Sequence, residues 1–256
     1  MELIWHGTAA IEVVCSSGRI LFDPFIPLKG SGVDVKIEEF DGVSDVFVTH
    51  GHFDHISDLP EIVQRNPDVR IHCTKTPYAA LIKKGVMERN LFLIGYGQTI
   101  LCQGFTIHTF HGMHAILPKV SFSRLGYALR SPARGNLPHI LRENSRCREN
   151  DETVFYQIEA EGKSVSLMGS LNLRDEVDYP TEADVLVLPY NGWEDNFPPA
   201  AEIIDRLKPQ RVLLDHYDDT FPPLTMPLDM SQILKSHPGM VTPMELHKTE
   251  RISLDI

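Results

Sequence analysis

Residues 49 to 55 read Thr-His-Gly-His-Phe-Asp-His, and this stretch decides how the rest of the chain is interpreted. The run before it, residues 44 to 49, is rich in β-branched and aromatic side chains and predicts a strand. The run after it, at about 57 to 65, has the apolar spacing of a helix. The stretch therefore lies at a turn from a strand to a helix, and it carries four side chains that can bind a metal: His50, His52, Asp54 and His55.

The spacing of these side chains favours two neighbouring metal positions. His50 and His52 are two residues apart, so in an extended chain both imidazoles point to the same side. Asp54 and His55 follow where the chain turns, and adjacent residues there point in different directions. The alternatives are a chance cluster of surface histidines or a single structural zinc ion. Structural zinc sites are usually closed by four ligands that include Cys, and no Cys lies nearby.

The motif resembles the His-x-His-x-Asp-His signature of the metallo-β-lactamase fold hydrolases. Within that superfamily the chain looks most like the branch related to ascorbate-6-phosphate lactonase, through residues 5 to 13 and the Asp-Pro turn in residues 20 to 25. The resemblance runs from about residue 3 to the C-terminus. It implies an α/β fold, a four-layer αββα sandwich with the site at one edge between the sheets.

The resemblance also implies further ligands. Relatives place a third histidine after a later strand, and we expect His114 there because it follows a turn that contains Gly112, with His111 as a competitor. His108 falls within the predicted strand. The last histidine is expected after the apolar run 211 to 214, which is His216. The two ligand sets would be His50, His52 and His114, and Asp54, His55 and His216.

One position departs from the family pattern. Most relatives with two metals carry a bridging aspartate after Gly in the strand that ends near residue 168, whereas this chain has Ser170. A neutral hydroxyl is a poor bridging ligand, so we expect one or two Zn²⁺ ions, or Mn²⁺, with a weaker second site. One subclass of metallo-β-lactamases resembles this chain in having serine there. Asp175 is the nearest carboxylate that could replace the bridge.

Catalytic and surrounding roles follow from this ligand set. Asp54 is expected to hold a metal-bound hydroxide and pass a proton to the leaving group, and His216 to help polarise the substrate oxygen. Asp23 is a candidate to orient a metal-bound imidazole, or only a turn residue before proline. Ser170, Tyr190, Asn191 and Trp193 are candidate residues near the substrate, with an ordinary packed aromatic turn as the alternative for the last three. His6 is expected only to line the cleft.

Composition favours a single domain over residues 1–256. The 256 residues are 42% hydrophobic, which is enough for a large core. No apolar run approaches the roughly 18 residues of a membrane span, and the four cysteines form no Cys-x-x-Cys pair, so we expect a cytoplasmic protein with reduced thiols.

Charge bears on the partners. The formal net charge of −11 argues against nucleic acid. We expect a small-molecule substrate and no membrane partner, and an assembly of identical chains is left open. A segment at about 117–150 is basic although the chain as a whole is acidic. It suits either a rim that attracts an anionic group or a solvated insertion. Its basic residues are Lys119, Arg124, Arg130, Arg134, Arg142, Arg146 and Arg148.

The sequence therefore predicts a metal-dependent hydrolase. Lactone, phosphoester and amide bonds stay open as targets because one hydroxide can attack all three, and a fold does not choose among them. One alternative is an iron-dependent oxygenase or other redox enzyme, since two His and one Asp can hold iron with open positions. Another is a metal-containing protein that binds a ligand without turning it over.

Overall fold

Two seven-stranded sheets form the centre of the molecule. The computed structural model describes residues 1–115, 126, 128–190, 196–225 and 228–252. The first sheet has the order β14-β1-β2-β3-β4-β5-β6. Its strands are β1 (Glu2–Trp5), β2 (Ile11–Cys15), β3 (Gly18–Phe22), β4 (Asp45–Phe47), β5 (Arg70–Cys73), β6 (Leu91–Leu93) and β14 (Thr249–Arg251).

The second sheet has the order β13-β12-β11-β10-β9-β8-β7. Its strands are β7 (Thr99–Cys102), β8 (Phe105–His111), β9 (Val154–Ala160), β10 (Lys163–Met168), β11 (Val185–Pro189), β12 (Arg211–Asp215) and β13 (Val241–Pro243). In both sheets a stretch of antiparallel strands joined by short turns is followed by parallel strands, β3 to β6 and β10 to β13. Parallel neighbours need crossover connections, and within the described ranges each of these except the β10–β11 connection carries an α-helix or a 3₁₀ helix.

Six α-helices and three short 3₁₀ helices occur in the part of the chain that the structure describes. The α-helices are α1 (Phe53–Ile56), α2 (Leu59–Arg65), α3 (Lys75–Lys83), α4 (Leu137–Arg146), α5 (Phe197–Leu207) and α6 (Ser231–Ser236), and the 3₁₀ helices are Ile37–Phe40, Glu88–Asn90 and Pro132–Asn136. None of the helices in these ranges has the length and apolar character needed to cross a bilayer.

Three hydrophobic clusters separate four layers, which confirms the predicted αββα sandwich. The central cluster joins the inner faces of the sheets, for example Phe22 and Phe47 with Tyr156. A second cluster packs α1 to α3 on the first sheet, and a third packs α5 and α6 on the second. Side chains of a strand point alternately to the two faces of its sheet. Here both faces are covered, so every residue of a strand such as β11 is buried.

The sequence reading missed several elements. Strands β6, β13 and β14 are only three residues long, which is too short for a periodic signal. The sequence analysis also did not predict α4 in the basic segment, a helix that the proline in its first turn is suited to begin.

Two contacts tie the metal-motif turn to the opposite sheet. The Tyr156 hydroxyl donates to the Val48 carbonyl at 2.7 Å, and the Val154 amide donates to the Thr49 carbonyl at 2.8 Å. Both hydrogen bonds cross from β9 to the end of β4. The turn is therefore held by both sheets at once.

Candidate metal centre

The six predicted ligands come from turns that follow three strands, and Ser170 comes from a turn after a fourth. His50, His52, Asp54 and His55 follow β4, His114 follows β8, and His216 follows β12, while Ser170 follows β10. Carboxyl ends of parallel strands meet at one edge of a sheet, where side chains on the following turns converge. These residues share one cavity of about 140 Å³.

The first group is made of three imidazoles. The ring centres of His50, His52 and His114 lie 4.6 to 4.9 Å apart, and His50 Nε2 is 3.1 Å from His52 Nδ1. Burial, followed by neighbouring imidazoles, holds the pKa of His50 well below its ordinary value. Burial likewise lowers the pKa of His52 to about 4 and lowers that of His114. All three rings are thus neutral at pH 7, which is the form that binds a metal.

The second group is a carboxylate with two imidazoles. Asp54 Oδ2 lies 3.3 Å from His216 Nε2 and 3.6 Å from His55 Nε2. Burial opposes ionisation of Asp54, but His55 and His216 outweigh it and the net pKa is lowered. Burial also opposes a charge on His216, yet Asp54 raises its pKa to about 9. A positive charge is therefore stabilised between these three side chains.

Each group fits a metal ion by its donor chemistry. In both groups the three ligand atoms lie within 4.8 Å of one another. The first group offers three nitrogens, and the second offers two nitrogens and one oxygen. Both sets suit zinc. Each neutral imidazole has only one N–H and one lone pair. The ring nitrogens that face one another here therefore cannot all be satisfied by hydrogen bonds among the three rings. A cation is the group that satisfies them together.

Thr49 orients two of the imidazoles, and the sequence analysis missed it. Its amide and hydroxyl both donate to Asp23, so its hydroxyl oxygen is left to accept from His50 Nδ1 at 3.0 Å. His55 Nδ1 lies 2.9 Å from Asp23 Oδ2 and donates to it. Both histidines therefore turn Nε2 towards the cavity. The available signal was position alone: Thr49 directly precedes the motif.

With this geometry in view, the comparison with known families is decisive. Residues 18–217 match the Beta-lactamase superfamily domain. The chain belongs to this family.

Two relatives are similar over different lengths of the chain. A protein of Metallosphaera sedula described as a UPF0173 metal-dependent hydrolase is 35% identical over 99 residues, which is 33% of this chain and 42% of that protein. A UPF0173 metal-dependent hydrolase of Caldivirga maquilingensis is 26% identical over 86% of this chain and 83% of its own length. The chain thus matches less than half the length of the first of these relatives.

Solved structures share the fold. Igni18, described as a metallo hydrolase from Ignicoccus hospitalis, has a TM-score of 0.60 with 21% identity and coverage of 97% of both chains. CmlA, described as a diiron β-hydroxylase from Streptomyces venezuelae, has a TM-score of 0.60 with 16% identity over 98% of this chain and 54% of its own. The β-lactamase superfamily fold therefore holds more than one kind of metal chemistry.

His111 and His114 separate clearly in this superfamily member. His114 joins His50 and His52. His111 stacks on Tyr96 with ring centres 4.0 Å apart, and its Nε2 lies 3.1 Å from the Asp151 carbonyl. A strand end carries His111 away from the cavity, whereas the turn after Gly112 brings His114 into it.

Ser170 lies at the cavity and holds the chain next to His114. Its hydroxyl oxygen accepts from the Ala115 amide at 2.9 Å, and its side chain is buried. Asp175, the candidate replacement carboxylate, is fully exposed and faces Arg206 instead. A serine here supports the loop that carries His114 rather than supplying a second carboxylate.

Other expected residues lie elsewhere. Tyr190 is buried in the cluster between the second sheet and α5 and is not among the described residues that line the cavity. Asn191 and Trp193 lie outside the described residues. His6 is also not in the described lining and contacts Glu12 and Glu39.

The arginines of the basic segment line a different groove. Arg142, Arg146 and Arg148 stand with basic residues of α3 around a cavity of about 1190 Å³. From this segment only Asn144 reaches the metal cavity among the residues described. Lys119 and Arg124 lie outside the described ranges. The expected basic rim over the metal ions is not formed by the described arginines.

Proposed function

We propose that this protein is a metal-dependent hydrolase that directs an activated water at a small substrate. The observation that carries the proposal is that one cavity joins an all-imidazole ligand group to a group of one carboxylate and two imidazoles. Neutral imidazoles at pH 7 support metal binding in the first group. Both relatives are described as metal-dependent hydrolases, which agrees with this function.

We propose zinc as the resident metal, in one or two ions, with manganese able to replace it. His50, His52 and His114 would hold the first ion, and Asp54, His55 and His216 the second. A bound zinc ion would supply a hydroxide nucleophile near neutral pH, since it lowers the pKa of water from 15.7 to about 7. Three protein ligands leave a coordination position free for that purpose.

The chain's own residues handle the proton and the orientation. Asp54 belongs to the second group and is ionised, so in the form with only the first ion its carboxylate is suited to accept a proton from the attacking water and return it to the leaving group. With only the first ion bound, the Nε2–H of His216 is suited to donate to the substrate oxygen on which charge develops; with both ions bound, Nε2 would be a ligand and the second ion would take this role. Asp23 and Thr49 keep His50 and His55 in the tautomers that present Nε2.

The cavity wall supports a small substrate. Its apolar part comes from Phe53 and from the loop after β12, which contributes Phe221 and Leu224. The described lining contains no Lys or Arg, so a charged group on the substrate would have to be bound by the metal ions themselves. Lactones, amides and small phosphoesters all fit this description, and the lactone and the amide need no additional cation.

The test compares His52→Ala with the unchanged protein. We expect loss of the first ion and of hydrolysis across a panel of lactones, amides and phosphoesters, because a ligand at the open site is removed. Metal is counted by elemental analysis after gel filtration. Full hydrolysis without the metal in this variant would overturn the proposal.

A second candidate function is iron-dependent oxidation. The group of Asp54, His55 and His216 has the two-histidine, one-carboxylate composition that holds iron with open positions, and the fold is shared with CmlA, described as a diiron β-hydroxylase. Iron content together with oxygen consumption would favour this candidate. Colourless protein with zinc or manganese and measurable hydrolysis would favour the first.

A further inference from the structure

A third group of metal-competent side chains lies apart from the cavity. His6 follows β1, Glu39 belongs to the 3₁₀ helix Ile37–Phe40, and His247 lies in the turn before β14. One ligand atom from each lies within 4.8 Å of the others. None of these residues is in the described lining of the metal cavity.

Backbone contacts hold these three elements together. The His247 amide donates to the Trp5 carbonyl at 2.9 Å, and Leu246 pairs with Trp5 as a parallel bridge. The His6 ring packs edge-on against Phe40, which is buried in the core beside Glu39. The ligand atoms are therefore placed by the fold and not by flexible surface side chains alone.

His6 lies between two carboxylates, one at each ring nitrogen. His6 is buried, with Glu12 Oε2 at 3.0 Å from Nε2 and Glu39 Oε2 at 3.2 Å from Nδ1. A neutral imidazole has one N–H and one lone pair, so it can donate to only one of these carboxylates. At the other carboxylate, the lone pair of the ring nitrogen faces a carboxylate oxygen unless a second proton or a metal ion lies between these two atoms.

The same carboxylate oxygen meets a second imidazole. His247 Nε2 is 2.8 Å from Glu39 Oε2. Burial opposes ionisation of Glu39, but the backbone of Lys36 and the two histidines outweigh it, so the pKa of Glu39 is lowered. Glu39 is thus an anion with two imidazole nitrogens directed at one of its oxygens.

Glu12 accepts a hydrogen bond from His6 Nε2, the arrangement by which carboxylates orient metal-bound histidines. It is buried, and its other oxygen accepts from Arg19 Nη1 at 2.9 Å. With Glu12 held in this way, the N–H of His6 is best kept at Nε2. The Nδ1 lone pair then points to Glu39 and His247.

The spacing of the donor atoms suits a transition metal. Zinc bonds of about 2.0 to 2.1 Å in a tetrahedron place ligand atoms about 3.3 to 3.4 Å apart. The separations to Glu39 Oε2, 3.2 Å and 2.8 Å, need to open by at most about half an ångström. The His247 side chain is 42% exposed, so an ion has access from solvent and water can complete its coordination.

We propose that His6 Nδ1, Glu39 Oε2 and His247 Nε2 bind an additional metal ion, zinc or a similar divalent transition metal, that ties the N-terminal hairpin to the C-terminal turn. Metal binding at this site does not require that the protein be a hydrolase. The site lies next to the turn at Thr8, whose carbonyl accepts from the His216 amide at 2.9 Å and whose amide donates to Asp218 Oδ2 at 2.8 Å. The ion therefore also stiffens the turn that supports His216.

The test counts zinc in the full chain. The protein is stripped with a chelator, incubated with a few equivalents of zinc and gel-filtered, and zinc per chain is measured. Glu39→Gln and His247→Asn are compared with the unchanged protein; Asn tolerates the positive φ of 59° at that position. The matched control is His108→Asn, which alters a half-exposed histidine 4.0 Å from Glu159.

We expect both cluster variants to hold one zinc ion fewer per chain than the unchanged protein and the control. Zinc should also raise the melting temperature less in these variants than in the control. Should Glu39→Gln fold poorly, His247→Asn carries the test, because its side chain is on the exposed side. Crystals of the zinc-loaded protein should give an anomalous peak between the three ligand atoms.

Equal zinc counts in all four proteins would overturn the proposal. So would an anomalous map with no peak at the cluster, or a site that fills only at millimolar zinc. Loss of hydrolysis in His52→Ala with the cluster zinc retained would leave this site standing, so the two proposals fail separately.

Discussion

Gly169 packs directly against Thr49 behind the candidate metal centre, and adding one methyl group there tests this packing. A Cβ on Gly169 would lie 2.3 Å from Thr49 Cβ and 2.5 Å from Thr49 Oγ1. Ordinary van der Waals contact begins at 3.4 Å. In Gly169→Ala, Thr49 or the end of β10 must therefore shift by about 1 Å, because neither atom on the Thr49 side is the tip of a flexible chain.

This shift should lower both the stability of the fold and the affinity for metal. Overpacking of a close-packed interior typically costs about 1 to 3 kcal/mol of stability. Thr49 also holds Asp23 and His50, and changes to partners of metal ligands weaken metal binding by about 10- to 100-fold. A displacement near 1 Å at a reacting group lowers turnover by about 100-fold. Metal affinity and hydrolysis should therefore fall further than stability alone explains.

The assay measures zinc affinity, melting temperature and hydrolysis for Gly169→Ala. Gly135→Ala is the matched control, since a Cβ there meets nothing within 4 Å. We expect the control to behave like the unchanged protein. If Gly169→Ala kept normal zinc affinity and normal stability, the close packing of β10 on Thr49 would be refuted, and with it the explanation of how His50 is oriented.

Three further predictions follow from single residues. Ser170→Asp should raise occupancy of the second ion in a metal titration, because a carboxylate replaces a neutral hydroxyl; no gain would contradict the role given to this position. His114→Ala should lose metal whereas His111→Ala should keep it, and equal metal counts would count against the ligand assignment. Asp45 is buried and bound by Arg70 and His72; burial opposes its ionisation, but these partners outweigh it and lower its pKa below the ordinary 3.8. The stability from this ionised carboxylate is present above pH 3.8 and is lost as the pH falls towards the lower pKa of the folded state. Asp45→Asn should thus cost about 2 kcal/mol at pH 7 by denaturant unfolding, the size of a hydrogen bond to a charged group, with a gap that narrows below pH 4, and a gap independent of pH would disprove the ion pair.

Local sequence was sufficient for the fold class and for bringing four residues of the candidate site into one turn. The strand before Thr49 and the four metal-competent side chains after it are adjacent in the chain, so their relation depends only on strand and turn geometry. The apolar runs that form β11 and β12 were equally readable, because burial on both faces leaves an unbroken hydrophobic signal. Asp23 was found from its position at a strand end, and the structure places it 2.9 Å from His55.

Tertiary structure decided what depends on distant parts of the chain. His111 and His114 differ by three residues, and only the path of the chain after β8 sends one to Tyr96 and the other to His50. The basic segment forms a groove with α3, a partner that its own sequence does not specify. The group of His6, Glu39 and His247 joins residues up to 241 positions apart, and no local pattern marks such a group. Sequence periodicity reports which face of an element is buried, whereas the meeting of side chains across elements is set by packing of the complete fold.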